Sequence, residues 1–257
     1  MADMSSRSTP ATCTPLASFP DDGCAVVFGA SGAIGGALLA ALRKDPTFGT
    51  VHGFSRHSDP GVDVTDERSI AGLANHLSNM AAPVRSNMAA PVRLILNATG
   101  FLHGEGLAPE KSWRHIDAAH MAHAFAVNAT GPALLMKHLL PLLPRQGKAV
   151  FATLSAKVGS IGDNRIGGWY SYRASKAALN QIVHTAAIEL QWRKPSAICV
   201  ALHPGTVDSP LSGPFGKKGL DVVAPPAAAA RLLAVVDGLK PEDSGGFFDY
   251  AGSALPW

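Results

Sequence analysis

Two tyrosines and a lysine stand close together in the stretch GGWYSYRASKAALN, which covers residues 167–180. Tyr172 and Lys176 are four residues apart, so on a helix they lie on one face, one turn from each other. A phenol, whose ordinary pKa is about 10, is a poor proton donor or base at neutral pH. A neighbouring ammonium favours the phenolate and lowers that pKa, so this pair could perform acid–base chemistry on a substrate oxygen.

The other tyrosine of this stretch has a different geometry. Tyr170 precedes Lys176 by six residues, which is about 240° around a helix of 3.6 residues per turn and turns the two side chains apart. Tyr170 follows Trp169 at the expected helix entrance, where it could line a substrate pocket or simply pack. We therefore expect Tyr172 to be the acid–base residue and Tyr170 to be a bystander.

A glycine-rich loop, FGASGAIGG, lies near the N-terminus, between a β-rich run and an apolar helical run. Glycines at such a junction let the backbone turn tightly and approach a pyrophosphate, and the helix N-terminus presents unpaired N–H groups and its positive dipole end. The loop predicts a dinucleotide-binding site. Its expected cofactor contacts are Gly29, Ser31, Gly32, Ala33, Ile34 and Gly35.

The residues after the second β-rich run indicate which dinucleotide binds. A carboxylate at this position would bind the ribose hydroxyls and repel a 2′-phosphate. The chain instead has Ser55 and Arg56, followed by His57, with no acid before Asp59. A guanidinium suits a phosphate and a serine hydroxyl can donate to it. We therefore predict NADP(H) over NAD(H); the alternative is that Arg56 is a solvated surface residue.

The elements that must position these residues alternate along the chain. The expected strands are 24–29, 51–55, 61–64, 93–100, 148–155, 196–205 and 245–250. The expected helices are 33–45, 68–80, 116–143, 172–191 and 227–239. Such alternation predicts an α/β fold: a single-domain, doubly wound Rossmann fold whose parallel sheet of about seven strands has helices on both faces.

The order of the motifs resembles that of the short-chain dehydrogenase/reductase family, from about residue 23 to the C-terminus. These motifs are GASGAIG, DV, NATG, a long helix bearing Asn128, then Ser155, YRASK and HPG. More narrowly, SAKVGSIGDN, HPGTVDSPLSGPF and GGFFDY resemble the C-factor-like subgroup, whose members include a bacterial developmental signalling protein.

The resemblance implies a complete site. Tyr172 and Lys176 become the acid–base pair and also contact the cofactor, Ser155 hydrogen-bonds the substrate oxygen, and Asn128 holds a water that links the lysine to solvent. The further cofactor contacts that it implies are Asp63, Val64, Asn97, Ala98, Gly100, Pro204, Gly205 and Val207.

Two features depart from the family pattern. The glycine spacing is GxxGxxG rather than GxxxGxG, so Ala33 replaces a middle glycine. The interval from Ser155 to Tyr172 is 17 residues, and the extra GDNRIGG is expected to form a loop over the site. The Pro- and Gly-rich residues 208–226 are expected to form a mobile substrate lid that contains Leu211, Phe215 and Lys217.

Composition excludes several other classes of protein. No run of about 18 apolar residues occurs, so we expect no membrane span. The net charge of +3 comes from scattered basic residues, which argues against nucleic-acid binding. The cysteines and histidines lack ligand spacing, so no metal is expected. Residues 1–22 are expected to be a flexible tail, with organelle targeting as the alternative, and the cysteine usage favours a reducing, cytoplasmic location.

The repeated octapeptide SNMAAPVR at 78–85 and 86–93 is expected to lengthen a surface loop, because loop closure entropy grows slowly with length. The family resemblance also implies a homodimer or homotetramer.

The motifs together predict an NADP(H)-dependent oxidoreductase that interconverts a small-molecule carbonyl and a secondary alcohol. The alternative, from the C-factor resemblance, is a cofactor-binding signalling or regulatory protein with little enzymatic turnover.

Overall fold

The computed structural model describes residues 16–81, 90–104, 106–213, 219 and 221–257. Short apolar runs form its strands and amphipathic runs its helices. The strands are β1 (Gly23–Phe28), β2 (Phe48–Phe54), β3 (Val92–Asn97), β4 (Ala149–Leu154), β5 (Ala197–His203), β6 (Thr206–Val207), β7 (Val222–Val223) and β8 (Phe247–Asp249). The helices are α1 (Ala33–Leu42), α2 (Glu67–Ala81), α3 (Ala118–Phe125), α4 (Gly131–Leu139), α5 (Tyr170–Arg193) and α6 (Pro225–Gly238).

Six of these strands form one parallel sheet in the order β2-β1-β3-β4-β5-β8. Every residue of β1 is buried, as are nearly all residues of β4 and β5, which agrees with strands covered on both faces. The chain order reverses at β1, whose neighbours are β2 on one side and β3 on the other. The crevice at the carboxyl ends of these strands is where doubly wound folds bind ligands.

Two apolar layers cover the sheet. On one face, buried residues of α2, α4 and α5, such as Leu73, Leu135 and Val183, pack against the strands. On the other face, α1 and α6 contribute residues such as Leu38 and Leu232. The predicted α/β fold with helices on both faces is therefore confirmed.

The strand count differs from the prediction because residues 61–64 form a loop instead of a third strand. Val62 and Val64 are buried, which explains the misleading alternation of the sequence. The backbone of this segment bonds locally: Val62 N–H donates to the Ser55 carbonyl at 2.8 Å, and Asp63 N–H donates to Ser69 Oγ at 3.0 Å. A segment whose N–H groups are used in turns cannot join a ladder.

The first described residues also differ from the prediction. Residues 1–15 lie outside the described part of the chain, but Leu16 and Phe19 are buried in the core beside α1. Leu16 N–H donates to the Asp45 carboxylate at 3.0 Å, and Ser18 Oγ donates to that of Asp237 at 2.6 Å. The chain is therefore packed from Leu16 onward, within the predicted tail.

Two other predicted features lie partly outside the described residues. Half of the repeated octapeptide does, because residues 82–89 are not described, and so do Phe215 and Lys217 of the predicted lid. The predicted helix over 116–143 is interrupted, since a π-helical segment, Ala126–Thr130, separates α3 from α4. Within the described residues, no helix has the length and apolar character needed to cross a membrane.

Candidate active site

The glycine loop after β1 is built by close backbone contacts. Gly29 has φ of +75°, and a Cβ there would lie 2.9 Å from the Ala98 carbonyl carbon of the neighbouring turn. A Cβ on Gly35 would lie 2.1 Å from the Gly29 carbonyl oxygen. Only glycine fits at these two positions, which explains the spacing of the motif.

The N-terminus of α1 faces this loop without a side-chain cap. Gly32 is the N-cap residue and its N–H donates to the Gly29 carbonyl at 2.9 Å. No side chain caps the first turn, so its N–H groups are available to an anion. This uncapped turn, together with a backbone cradle that a Cβ would fill, fits the pyrophosphate of a dinucleotide. Ser31, Ala33 and Ile34 lie at the same turn.

The turn after β2 carries the predicted phosphate-recognising residues. Arg56 is exposed, and Ser55 is half-buried with its Oγ accepting from His57 N–H at 3.2 Å. Asp63 accepts from Thr65 N–H at 2.9 Å and from Thr65 Oγ1 at 2.7 Å. These hydrogen bonds, with a smaller contribution from Arg56, lower the pKa of Asp63. The exposed guanidinium fits a 2′-phosphate, and Val64 is buried beside Asp63.

The turn after β3 is fixed by the side chain of Asn97. Its Nδ2 donates to Thr153 Oγ1 at 3.0 Å, which joins β3 to β4, and its Oδ1 accepts from Thr99 Oγ1 at 2.7 Å. Ala98 N–H donates to the Phe28 carbonyl at 3.0 Å, and Gly100 follows. A Cβ on Gly100 would lie 3.7 Å from Lys176 Nζ, so this turn reaches the acid–base pair.

Tyr172 and Lys176 lie on one face of α5, as predicted. Lys176 Nζ is 5.9 Å from the centre of the Tyr172 ring and donates to the Leu154 carbonyl at 2.8 Å. Tyr172 is half-buried in relative surface area, but protein atoms surround its hydroxyl. Desolvation raises the pKa of Tyr172 to about 12 and lowers the pKa of Lys176 to about 7.

These directions describe the chain without its cofactor. The expectation was that the ammonium and the positive nicotinamide ring together lower the tyrosine pKa; in the protein alone, burial raises it. Burial disfavours the charged form of each group, so the lysine is only partly charged at neutral pH and attracts the phenolate weakly.

Ser155 lies directly after β4, at the carboxyl edge of the sheet. Its N–H donates to the Leu202 carbonyl at 2.8 Å, which fixes the backbone against β5. Its Oγ donates to Asn180 Oδ1 at 2.6 Å. Since Lys176 bonds the carbonyl of the preceding residue, Leu154, the structure brings the predicted serine and lysine together.

Asn128 lies in the π-helical segment and is fully buried. Its Nδ2 donates to the Phe101 carbonyl at 2.8 Å and to Ser175 Oγ at 3.0 Å, and its Oδ1 accepts from Phe101 N–H at 2.8 Å. Ser175 Oγ donates in turn to the Tyr172 carbonyl at 2.9 Å. The Asn128 amide therefore joins α5 to the turn after β3. Both of its donors are used by protein, so a relay water would need another group.

The turn after β5 contains Pro204 and Gly205, and leads into β6. Gly205 has φ of +79°, and a Cβ there would lie 2.8 Å from the Tyr250 ring. Val207 is buried and pairs with Val223 in β7, which closes the base of the predicted lid. His103 Nε2 donates to the carbonyl oxygens of Pro210 and Leu211, at 3.2 and 3.1 Å.

The loop between Ser155 and α5 packs against the site. A Cβ on Gly159 would lie 2.6 Å from Lys176 Cβ, so glycine permits the close approach. Arg173 donates through Nη1 to the Val158 carbonyl at 3.1 Å and through Nε to the Gly168 carbonyl at 3.0 Å. This arginine joins both ends of the loop to the helix that carries Tyr172.

The start of α5 depends on residues that the sequence did not single out. Gly167, Gly168 and Trp169 all have positive φ, of 70°, 65° and 54°, which is strained for the tryptophan. The buried Glu110 carboxylate accepts from Ser171 N–H at 3.1 Å and from Ser171 Oγ. An acid at a helix N-terminus is a recognisable signal, but Glu110 lies 61 residues away in sequence.

Asn180 is a second missed residue, and its spacing provided a signal. It follows Lys176 by four residues, as Lys176 follows Tyr172, so all three lie on one face of α5. Within the part of the chain that the structure describes, no three His, Cys, Asp or Glu side chains form a metal-binding group.

The chain is similar in sequence to several known proteins. The sequence model of the family described as enoyl-(acyl carrier protein) reductase matches residues 57–233. The chain is 40% identical over 143 residues to the C-signal protein of Myxococcus xanthus, covering 55% of this chain and 81% of that protein. It is 32% identical over 199 residues to 1-hydroxy-2-glutathionyl-2-methyl-3-butene dehydrogenase of Rhodococcus sp. (strain AD45), covering 77% and 80% of the respective chains.

A solved structure has the same fold. The NADPH-bound carbonyl reductase from chicken fatty liver superposes with a TM-score of 0.77 at 23% identity, covering 93% of this chain and all of that one. This likeness concerns the fold.

Proposed function

The chain belongs to the short-chain dehydrogenase/reductase family and is an oxidoreductase by that membership, and from this premise we propose that it interconverts a carbonyl and a secondary alcohol with NADP(H). The observation that carries the proposal is the pairing on α5 of the half-buried Tyr172 with the buried Lys176, next to the carboxyl end of β4 where Ser155 lies. This arrangement combines a proton donor, a cation and a hydroxyl at the ligand-binding edge of the sheet.

Each side chain has a role in the proposed reaction. In reduction, Tyr172 donates its phenolic proton to the substrate oxygen, and a pKa of about 12 keeps that proton on the tyrosine beforehand. Lys176, with a pKa of about 7, stabilises the phenolate that remains and can return a proton to it. Ser155 donates a hydrogen bond to the substrate oxygen as negative charge develops. The nicotinamide cofactor, when bound, supplies the hydride for the carbonyl carbon.

The preference for NADP(H) is part of the proposal. The exposed Arg56 and the half-buried Ser55 follow β2, where an NAD-selective site would need a carboxylate. The pyrophosphate would contact the uncapped first turn of α1, and Asp63 and Asn97 would border the adenosine. The NADPH-bound chicken carbonyl reductase, which shares the fold, supports this cofactor.

The substrate is proposed to be a small, partly apolar carbonyl compound. The partly exposed Leu211 belongs to the predicted lid, and Trp169 forms a T-shaped pair with Tyr172, with ring centres 6.2 Å apart. The lid is attached at its base by β6 and β7 and by His103. We propose a cytoplasmic location because Cys24 and Cys199 are free, buried thiols.

We also propose that the chain forms a homodimer or homotetramer. A groove of about 600 Å³ runs between α4 and α5 on the outer face of the molecule. An isologous contact brings the same surface of two copies together. Apolar side chains line the groove together with charged residues of both signs, Lys137, Glu189, Arg193 and Lys194. Sedimentation of the wild type and of Ala186→Glu tests this: the variant should be monomeric, and a monomeric wild type would exclude the oligomer.

A second candidate is a cofactor-binding signalling protein with little turnover. The similarity to the C-signal protein favours it. The complete set of Ser155, Tyr172, Lys176 and Asn128 favours the enzyme, because binding alone does not need a proton donor beside a buried lysine.

The deciding experiment measures NADPH oxidation with a panel of ketones, aldehydes and quinones. We expect turnover by the wild type, a decrease in kcat of about 10²–10⁴-fold in Tyr172→Phe, and no more than a small change in the matched control Tyr170→Phe. Tight NADPH binding without turnover of any compound would support the signalling candidate. Loss of activity in Tyr170→Phe alone would overturn the assignment of the tyrosines.

A further inference from the structure

Asn180 lies in the interior one helical turn beyond Lys176, and the nitrogen of its amide group has no hydrogen-bond partner among the described residues. Its Oδ1 accepts from Ser155 Oγ at 2.6 Å. Its Nδ2 is buried and makes no hydrogen bond with any described residue, although the side chain is only 3% exposed. A buried amide donor without an acceptor lowers the free energy of unfolding. Such a group next to a candidate catalytic serine requires an explanation.

The direction of the Ser155 hydroxyl proton supplies an explanation for the unpaired amide nitrogen. A serine hydroxyl has one proton, and here that proton points to Asn180 Oδ1. In this arrangement Ser155 Oγ can only accept a hydrogen bond from a substrate. A carbonyl oxygen that gains negative charge during reduction needs donors, so the arrangement suits a bound alcohol and opposes the reduction of a carbonyl.

We propose that Asn180 is a positioning residue that turns its amide during turnover, so that Nδ2 donates to Ser155 Oγ and the serine proton points to the substrate oxygen. The two ends of an amide have nearly the same size and differ in that one donates and the other accepts. A half-turn of the amide reverses the direction of the hydrogen bond between Asn180 and Ser155. It breaks no hydrogen bond of Nδ2, because Nδ2 has no partner among the described residues. Each orientation leaves one buried amide atom unpaired, so their energies are similar and the charge on the substrate selects between them.

This inference rests on the proposed function, because it concerns the serine of that site. Its primary test compares Asn180→Asp with Asn180→Ala. An ionised aspartate has the shape of asparagine but can only accept, so it holds the Ser155 proton away from the substrate. We expect kcat for carbonyl reduction to decrease about 100-fold in Asn180→Asp at pH 8, in line with the loss of one such donor, and less in Asn180→Ala, where the hydroxyl can rotate. A role in packing predicts the reverse order and would overturn the proposal.

The pH profile gives an independent readout. A protonated carboxyl group can donate as the amide nitrogen does, so kcat of Asn180→Asp should recover toward the wild-type value as the pH falls. Gln191→Glu adds the same charge at an exposed position of α5 and should keep the wild-type profile. A decrease in kcat of Asn180→Asp that stays the same at every pH contradicts the proposal.

A double-mutant cycle with Ser155→Ala separates this inference from the proposed function. If Asn180 acts through Ser155, the Asn180→Asp decrease should nearly disappear in the Ser155→Ala background. An equal decrease in both backgrounds overturns the inference alone. Full activity in both Ser155→Ala and Tyr172→Phe overturns the proposed function as well. Thermal unfolding of each variant without cofactor shows whether it is folded. If the buried carboxylate prevents folding, the cycle uses Asn180→Ala, whose smaller decrease in kcat should likewise disappear in the Ser155→Ala background.

Discussion

Lys176 Nζ lies 5.9 Å from the centre of the Tyr172 ring, and burial moves the pKa values of the two groups apart, to about 7 and about 12. In water the two groups titrate close together, at about 10.4 and about 10. The separation has a chemical consequence. At neutral pH the tyrosine keeps its proton, while the lysine exchanges protons readily.

The buried lysine should reduce stability, so Lys176→Met should raise the melting temperature at pH 7 by several degrees. The pKa of Lys176 is lowered from 10.5 to about 7 in the folded chain, so between these pH values the unfolded chain binds the additional proton. The free energy of unfolding of the wild type therefore contains a contribution that rises with pH across this window, and the variant lacks it. Thermal unfolding at pH 7, 8, 9 and 10 measures the difference.

Lys157→Met is the control for this prediction, because the side chain of Lys157 is 50% exposed. It should preserve the wild-type dependence of the melting temperature on pH. If the melting temperatures of the wild type and Lys176→Met change with pH in the same way, burial of Lys176 does not lower the free energy of unfolding.

The glycine loop after β1 should not tolerate a methyl group at Gly35. In Gly35→Ala the new Cβ would lie 2.1 Å from the Gly29 carbonyl oxygen, so the backbone must move. We expect NADPH binding to weaken at least about 10-fold and stability to fall by about 1–3 kcal/mol. Fluorescence titration and denaturant unfolding measure the two effects. Gly72→Ala is the matched control: nothing lies within 4 Å of a Cβ there, and alanine in the exposed part of α2 should stabilise the chain by about 1 kcal/mol.

Arg56→Gln should shift the cofactor preference rather than the chemistry. A charged hydrogen bond to a 2′-phosphate contributes roughly 1.5–3 kcal/mol, so Kd for NADPH should rise about 10- to 100-fold while Kd for NADH stays nearly constant. Isothermal titration of both cofactors gives the ratio. Arg114→Gln, another exposed arginine, should leave both constants at wild-type values. Equal weakening of NADPH and NADH binding in Arg56→Gln would refute the assignment.

Glu110→Gln should remove a contribution to the free energy of unfolding that is present at neutral pH and that the wild type loses at acid pH. Hydrogen bonds from Ser171 and the nearby His120 lower the pKa of Glu110 from 4.5 despite the opposing effect of desolvation, which is the largest single influence. A depressed carboxyl pKa stabilises the fold at pH above 4.5, and this contribution is lost as the pH falls through the folded-state value. The variant should therefore be less stable than the wild type at pH 7, and the difference should shrink toward pH 3.

Chemical unfolding across that range measures the effect. Glu242→Gln, at an exposed position, should follow the wild type at every pH. A constant difference between Glu110→Gln and the wild type would indicate lost packing rather than lost charge.

The sequence alone predicted the features that depend on residues close to one another in the sequence. Apolar runs such as CAVVFG and KAVFATLS become buried strands wherever they lie in a doubly wound sheet. The four-residue spacing of Tyr172 and Lys176 places them on one helix face whatever the helix packs against. The glycine loop is likewise local, because its tight turn joins a strand directly to the following helix.

Only the tertiary structure decided which distant residues meet and how burial changes them. Ser155 and Asn180 are 25 residues apart, and Glu110 and Ser171 are 61 apart, so no local period relates them. The alternating GVDV run was expected to be a strand, but its backbone bonds to local turns. The pKa directions of Tyr172 and Lys176 also required the structure, because desolvation depends on the atoms that the whole fold gathers around a group.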